Sequence, residues 1–589
     1  IALNNGLRTI LFIDTILSSI GIQNAAKPDL WPNVLTTVAE LGARSFNSII
    51  GSFGSQLFVY IALIGSLLPL LPKKIEKKIE KQVYYGYLAV SAFILAIPFL
   101  ITISATNALI LFTLVYLSGY GIRLFDHKQK TSLTYAMFIH GWILALFFAS
   151  LRGTRFIMLL MPMIALSFSF VPGTLIKSLQ NLKEYTSLTT RAVAIVAILG
   201  LTAAYIVPAA ATGYQAGARL PSMNDAWYNS LKDIENQTAE DAIITSWWDF
   251  GHWFKQVADR RVTFDGGSQN TPNAHWAGRL LQTSDEEEAI AIQRMLNCGN
   301  AKGYDKLFEY TFDKDKNQGE PSEYLQNKQR FDEALTQSDE DIQQYYESLG
   351  LTSEEATEVA NLTHCEPPES VIITSSDMVG KAPVWSHFGL WDFGRAYAVQ
   401  THDTTNPDTT IQRYAENIDI SAEEARQYFL EVSELSSEQQ RNTWISPYPQ
   451  YVTNQMRSCE ETNTSIRCEL DLNLQQQRGG RVVLETLIVP LDNRSDAEFV
   501  LGVYGQNDFR QQEQRIRPAS LSVGENGEIS SQTFSDAGVQ FGVLLHDNDG
   551  QWEVLLGSPD ILPSMFTRLY FLDGSYAENF EKMTDRQST

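Results

Sequence analysis

Positive charge is scarce in this chain. Of its 589 residues, 45 are Lys or Arg against 68 Asp or Glu, a formal net charge of -23. That deficit argues against nucleic acid as a partner, because phosphate backbones are held by clustered basic side chains. An acidic surface serves solubility, and it also suits high salt. Cysteine is scarce too, with only Cys298, Cys365, Cys459 and Cys468. Neither spacing is a zinc-type pair with a matching second half, which removes a structural zinc module. The opening residues lack the pattern of a signal peptide, and Ile1 stands where Met would. We therefore expect a start inside a longer protein. Leu7 to Ile22 is apolar but broken by Arg8, Asp14 and two serines, so it reads as the end of a membrane helix or as an interfacial segment.

What is present divides in two. The mean hydropathy of -0.14 averages a strongly apolar part, up to about Thr212, with a polar and acidic remainder. Six apolar runs lie near Gly54–Pro72, Tyr84–Ser104, Asn107–Ile122, Ser132–Leu151, Phe156–Ile176 and Ala192–Thr212. Most approach the roughly 20 residues that a spanning helix needs. Alternate connections are basic: Lys73, Lys74, Lys77, Lys78 and Lys81, then Arg123, Lys128 and Lys130, then Lys177, Lys183 and Arg191. Basic loops stay in the cytoplasm. Residues 23–53 and everything after Thr212 are then expected on the outer face, as is the short connection Arg152-Gly153-Thr154-Arg155. An arginine at that boundary usually has a partner, unless it snorkels to headgroups.

The outer part has its own divisions. Ser284 to about Thr363 reads as several amphipathic helices, an insert over about 284–365. On an outer face the four cysteines are most simply two disulfides, Cys298–Cys365 and Cys459–Cys468, with four free thiols as the alternative. Arg481 to Gly557 alternates apolar and polar residues between turn signals, as in a β-sandwich. The expected architecture is a polytopic α-helical membrane domain (1–212), then a large extracytoplasmic α/β domain (213–480) with a β-sandwich-like C-terminal part (481–589).

One stretch carries chemistry. Ile243-Ile244-Thr245 reads as the end of a buried strand running into Ser246-Trp247-Trp248-Asp249-Phe250-Gly251. Adjacent tryptophans alternate sides, so one packs inward while the other can wall a pocket. Indole offers a flat apolar face and one N–H donor, and carboxylate offers acceptors. Together they suit a ligand with a methyl and a hydroxyl, such as a threonine side chain. A tryptophan-rich core corner is the plainer reading. Further on, Val371-Ile372-Ile373-Thr374 reads as a strand. Ser375-Ser376-Asp377 then caps a helix bearing Met378, Lys381 and Trp385 on one face.

Trp247-Trp248-Asp249-Phe250-Gly251 resembles the WWDXG signature of the catalytic subunit of oligosaccharyltransferase. Thr37-Val38-Ala39-Glu40, in the first outer loop, is similar to the TIXE/SVSE-type motif of that family. Met378-x-x-Lys381 resembles a hybrid of its MI and DK helices. Phe566 to Gly574 resembles a closing segment of the archaeal, AglB-type members.

This resemblance implies glycan transfer from a dolichol-type phosphate or diphosphate lipid carrier to asparagine in Asn-X-Ser/Thr, in the cell membrane. The partners are then the lipid-linked oligosaccharide, an acceptor polypeptide and membrane lipids. It implies that Trp247, Trp248, Asp249, Met378 and Lys381 bind the sequon. Arg155, with Arg152 as its close competitor, meets the lipid phosphate. Glu40 is a catalytic carboxylate beside Mn2+ or Mg2+. The family's DXD-type motifs of early external loops have no counterpart in this sequence. Another lipid-linked-sugar glycosyltransferase, a non-catalytic surface protein and a homologue that only binds peptide remain as alternatives.

Overall fold

A computed structural model describes residues 30–34, 45–53, 55–71, 78–101, 103–124, 131–181, 187–218, 222–269, 272–312, 320–477, 480–505 and 510–587. The chain forms two compact units, one spanning 35–222 and the other joining the segment that ends at Val34 to Met223–Thr589. Thr37 to Glu40 lie outside the described residues, as do Lys73, Lys74, Lys77, Lys128, Lys130 and Lys183.

The first unit is helical: α1 (Gln56–Leu67), α2 (Lys78–Leu100), α3 (Ala105–Leu124), α4 (Thr131–Arg152), α5 (Ile157–Asn181) and α6 (Leu188–Gly217). Among the described residues four helical stretches are long and apolar enough to cross a membrane: Gln82–Leu100, Ala105–Arg123, Leu133–Leu151 and Thr154–Gln180. Helices suit that solvent because each backbone N–H and C=O is paired within the segment. The expected Gly54–Pro72 run is not one helix. It tightens at Leu68–Leu70 into a 3-10 turn, where Pro69 has no N–H to donate. Helix α6 also carries an apolar stretch, described over Leu188–Ala204. Phe112, Tyr116, Ile139, Ile143, Phe147, Leu160 and Ile164 form the core of this unit. Helices α1 and α5 cross closely at Gly65, where a Cβ would stand 1.9 Å from the Ser167 carbonyl oxygen. Small residues permit such crossings where lipid supplies no hydrophobic drive. His140 is paired on both ring nitrogens, to the Tyr120 hydroxyl and the Ser66 carbonyl, each at 2.7 Å. Nε2 donates to that carbonyl, and Nδ1 pairs with the Tyr120 hydroxyl.

The second unit is a large mixed α/β domain. After α7 (Asp225–Gln237), strand β1 (Ile243–Thr245) leads through α8 (Gly251–Val257) to β2 (Arg261–Val262). Then follow α9 (Asn273–Gln282), α10 (Glu286–Cys298), α11 (Lys302–Thr311), α12 (Pro321–Leu335), α13 (Ile342–Ser348) and α14 (Ser353–Thr363). Strand β3 (Ser370–Ile372) returns beside β1, so the sheet order is β2-β1-β3 and both pairings are parallel. Strand β1 is buried throughout, which explains its unbroken Ile-Ile-Thr. Helix α10 is tied to this sheet: the Gln293 amide donates to Thr245 Oγ1 at 2.9 Å, and Asn297 donates to Ser370. The next residue, Cys298, forms a disulfide with Cys365.

Beyond β3 come α15 (Ser376–Gly380), α16 (Ala382–Gly389), α17 (Phe393–Thr401), α18 (Pro407–Ile418), α19 (Ala422–Glu434) and α20 (Glu438–Ile445). The single helix expected over Ser376–Trp385 is thus two, broken at Lys381. Pro383 sits in the first turn of the second, because its ring and missing N–H exclude it from a helix interior.

Strands begin again at Arg457, before the expected Arg481. They are β4 (Arg457–Ser458), β5 (Glu460–Glu461), β6 (Ser465–Gln477), β7 (Gly480–Pro490), β8 (Glu498–Gly505), β9 (Arg510–Ile516), β10 (Ser520–Glu525), β11 (Glu528–Thr533), β12 (Gly542–Asn548) and β13 (Gln551–Gly557). They make two five-stranded sheets, β11-β10-β12-β13-β4 and β5-β6-β7-β8-β9. Leu484, Leu487 and Phe499 of one share a core with Val543, Leu545 and Val554 of the other. A disulfide joins Cys459 to Cys468 across the β5–β6 hairpin. The last helix, α21 (Met565–Tyr570), braces the domain: Met565 N–H donates to the Thr283 carbonyl, and the Phe566 ring lies 5.0 Å from Trp385.

Candidate active site

The C-terminal ends of three parallel strands build the site, as open α/β sheets tend to do. Strand β1 delivers Ser246 to Gly251, β2 delivers Phe264 and Asp265, and β3 delivers Ser375 to Lys381. The two tryptophans part company there. Trp247 is 3% exposed, its ring between Phe264 and Phe388 at 5.8 Å from each. It is a core residue. Trp248 is only partly buried and opens a 3-10 turn, Trp248–Phe250, that passes into α8.

That turn fits because residue 251 is glycine. A Cβ on Gly251 would stand 2.6 Å from Asp265 Cβ and 2.9 Å from the Phe264 carbonyl oxygen. Asp265 is buried and fully engaged. Its Oδ2 takes Lys255 Nζ at 2.6 Å, and its Oδ1 takes the N–H groups of Gly267 at 2.9 Å and Ser268 at 3.2 Å. Burial alone would raise this carboxyl, but Lys255 and the Gly267 N–H outweigh it and hold the pKa at about 2.

Lys381 is the ionic centre. Its Nζ lies 2.8 Å from Asp249 Oδ1 and 2.9 Å from Asp377 Oδ2, with the Phe250 ring centroid at 5.2 Å. Burial would lower its pKa, yet the two carboxylates raise it above the usual lysine value. Met378 is 2% exposed, and its sulfur accepts from Ser246 Oγ at 3.6 Å. Ser246 Oγ also donates to the Ile373 carbonyl at 2.8 Å, which joins the ends of β1 and β3. Trp385 donates its indole N–H to the Met378 carbonyl at 2.9 Å and so fixes the bend at Lys381.

Within the Trp248–Phe250 turn two side-chain polar atoms remain unmatched. Trp248 Nε1, a donor, and Asp249 Oδ2, an acceptor, are both buried without a hydrogen-bond partner. Such groups cost about 1–3 kcal/mol each unless a ligand or water satisfies them.

Residues 240–350, which include the Trp248–Asp249 turn and Asp265 but not Ser375–Lys381, match the STT3/PglB/AglB core domain. The chain is 30% identical over 477 residues to a dolichyl-phosphooligosaccharide-protein glycotransferase of Methanococcus voltae, covering 67% of this chain and 47% of that protein. A second, of Methanocaldococcus jannaschii, is 30% identical over 391 residues, covering 62% and 39% respectively. The chain belongs to the archaeal-type AglB/PglB oligosaccharyltransferase family. It spans less than half the length of either relative. Its helical unit and large domain make it a multi-pass membrane protein of that family with an extramembrane part.

Of the residues singled out from sequence, Asp249 and Lys381 meet directly, and Met378 packs against the same strand end through Ser246. Trp247 supports from the core. Arg155 is exposed in the one-turn segment Thr154–Phe156 between α4 and α5. Glu40 lies outside the described residues. Sequence reasoning did not single out Asp265 and Lys255. A signal was present in Asp265-Gly266-Gly267-Ser268, a turn signature after a short apolar run. Among the described residues no three His, Cys, Asp or Glu side chains come together as a metal site. The carboxylate pair in this site, Asp249 and Asp377, is already bridged by the Lys381 ammonium and does not fit a divalent ion.

Proposed function

We propose that the protein transfers an oligosaccharide from a dolichol-type phosphate or diphosphate lipid carrier to asparagine in Asn-X-Ser/Thr sequons, as an extracytoplasmic glycosyltransferase. The observation that carries this reading is the unmatched pair Trp248 Nε1 and Asp249 Oδ2. A hydroxyl is the small group that can satisfy both, donating to the carboxylate while accepting from the indole. These residues form no bonds in the transfer. They hold the acceptor so that its asparagine is presented to the donor, a proximity effect.

Lys381 holds Asp249 through Oδ1, leaving Oδ2 for the substrate. Arg155 would pair the lipid-linked phosphate with its planar, permanently charged guanidinium. Glu40 would accept the asparagine amide N–H. Mn2+ or Mg2+ is implied by the family; Glu40 would be the residue of this chain that helps hold it, and the ion would supply Lewis-acid chemistry. We also read the two C-terminal sheets as a sandwich-like module behind the site.

Sidedness has support from within the second unit. Leu30–Val34 packs in the same folded unit as the residues after Met223. Both stretches then occupy one face of the membrane, and the chain between them crosses an even number of times. Six crossings meet that condition, the four longer stretches together with the shorter apolar helices α1 and α6, and basic loops on the opposite face then make this face the outer one.

The test is transfer from a lipid-linked oligosaccharide to an Asn-X-Thr peptide by the full-length protein in detergent or nanodiscs with Mn2+. Glycopeptide formation that requires both Asn and Thr is expected. An inactive, correctly folded protein across several archaeal lipid donors removes the reading.

A further inference from the structure

Leu30–Asn33 has neither helix nor strand, yet Leu30 is 6% and Val34 0% exposed. The cause is Trp31. Its indole meets Phe393 at 4.9 Å, Tyr304 at 5.0 Å and His275 at 5.7 Å, each nearly edge to face, with Trp276 tilted at 6.4 Å. Those rings come from three helices, α9, α11 and α17. Edge-to-face geometry sets the positive rim of one ring against the negative face of another. Lys328 of α12 adds a cation to the same cluster, 4.4 Å from the Trp276 ring and 4.6 Å from Phe393. Asp332 pairs that ammonium at 2.5 Å. Beside the indole, the Trp391 N–H donates to the Leu30 carbonyl at 2.8 Å. His275 is fully buried, and burial drives its pKa well below the ordinary value. It serves as a neutral ring, bonded through Nδ1 to the Phe388 carbonyl at 2.8 Å. This is a built socket with an anchor seated in it, and the segment it holds is 361 residues from its hydrogen-bond partner.

The socket has a consequence for the loop beyond it. Glu40 follows Val34 by six positions in the sequence. At about 3.6 Å per residue, Glu40 is tethered within roughly 22 Å of Val34 whatever the path between them. Releasing Trp31 removes that fixed end and dilutes the loop over a larger volume, which lowers its effective concentration at any site it serves.

We propose that this socket is a docking site through which the outer domain holds the loop carrying Glu40, and that Trp31 is a positioning residue for transfer. The role in transfer rests on the functional reading given above. The docking itself does not.

The experiment uses the full-length protein and two readouts. Hydrogen exchange is followed over the amides of residues 30–34, and kcat and acceptor KM are measured with an Asn-X-Thr peptide. Trp31→Ala should expose those amides and lower kcat tenfold or more, with acceptor KM changed less than twofold. Trp31→Phe, which keeps an aromatic edge, should recover to within about threefold of the parent. Phe393→Leu, made from the socket side, should reproduce the loss more mildly, and it serves if Trp31→Ala does not fold. Unprotected 30–34 amides in the parent protein would overturn the docking. Parental kcat in variants whose 30–34 amides exchange freely would overturn the positioning role. A parent protein that transfers nothing counts against the functional reading and leaves the exchange result to decide the socket.

Discussion

Lys381 Nζ lies 2.8 Å from Asp249 Oδ1, and this ion pair joins the end of β1 to the bend after β3. It occupies one oxygen of the carboxylate and leaves the other buried and unmatched. Lys381→Ala removes the cation between Asp249 and Asp377, so two carboxylates repel and Asp249 loses its fixed orientation. Lost charge-assisted bonds cost about 1.5–3 kcal/mol, and partial exposure of both partners places this case near the lower end. Acceptor kcat/KM should therefore fall roughly tenfold, with Lys381→Arg recovering part of it. Parental kcat/KM in the alanine variant would mean that the pair has no role in holding the acceptor.

Asp265 sets a pH dependence of stability. Its pKa in the fold is about 2, against an ordinary 3.8. A carboxyl depressed by folding contributes its full stabilisation above the ordinary value, and that contribution is lost as pH falls from about 4 through about 2. Asp265→Asn should therefore lower stability by roughly 2 kcal/mol at neutral pH, since each unit is worth about 1.4 kcal/mol. Melting curves of parent and variant should converge near pH 2. A constant gap down to that pH would show that the loss comes from packing and not from ionisation.

The two disulfides should differ in weight. Cys298–Cys365 closes 67 residues and Cys459–Cys468 closes 9. Chain entropy assigns about 4 kcal/mol to the longer loop and about 2.6 kcal/mol to the shorter. Cys298→Ser with Cys365→Ser should lower the melting temperature more than the equivalent change at Cys459 and Cys468. It should also loosen α10, whose Gln293 and Asn297 hold the central sheet. The reverse order of melting temperatures would contradict this assignment.

These outcomes bear on what the sequence could disclose. The membrane-length helices were legible because lipid enforces one conformation on a long apolar run. The first run was overestimated because Pro69 acts on geometry that composition does not register. Strand alternation predicts one inward and one pocket-facing tryptophan; the two do differ in burial, but through the 3-10 turn that follows β1, not through the strand. The break at Lys381 was obscured by a convincing i, i+3, i+7 pattern, although Pro383 marked it. Trp31 had no local signal at all. Its partners lie hundreds of residues away, and an aromatic before proline in a loop looks like any other. Local chemistry therefore revealed the strand-end site, while the docking of the loop depended on tertiary packing.

The sharpest prediction concerns the residue two after the acceptor asparagine. If Trp248 Nε1 and Asp249 Oδ2 bind its hydroxyl, a peptide with Ala there leaves both atoms buried and unpaired, as they are without substrate. Sites built for a hydroxyl reject its absence strongly, whereas a missing methyl is worth only about 1 kcal/mol. Ala peptides should be nearly inert, and Ser should trail Thr by roughly tenfold or less. Trp248→Phe keeps the ring and deletes only the donor. It should weaken Thr and Ser peptides alike and leave the Thr-over-Ser ratio unchanged. Asp249→Asn should weaken both further, because it also breaks the ion pair with Lys381. Met378→Ala acts on the other term. That side chain is almost fully buried against Ser246, so truncation should cost about 2–5 kcal/mol of stability and narrow the Thr-over-Ser ratio. The measurement is kcat/KM for the three peptides with parent and variants. A Trp248→Phe enzyme with parental kcat/KM on all of them would reduce the strand-end stretch to a tryptophan-rich core corner.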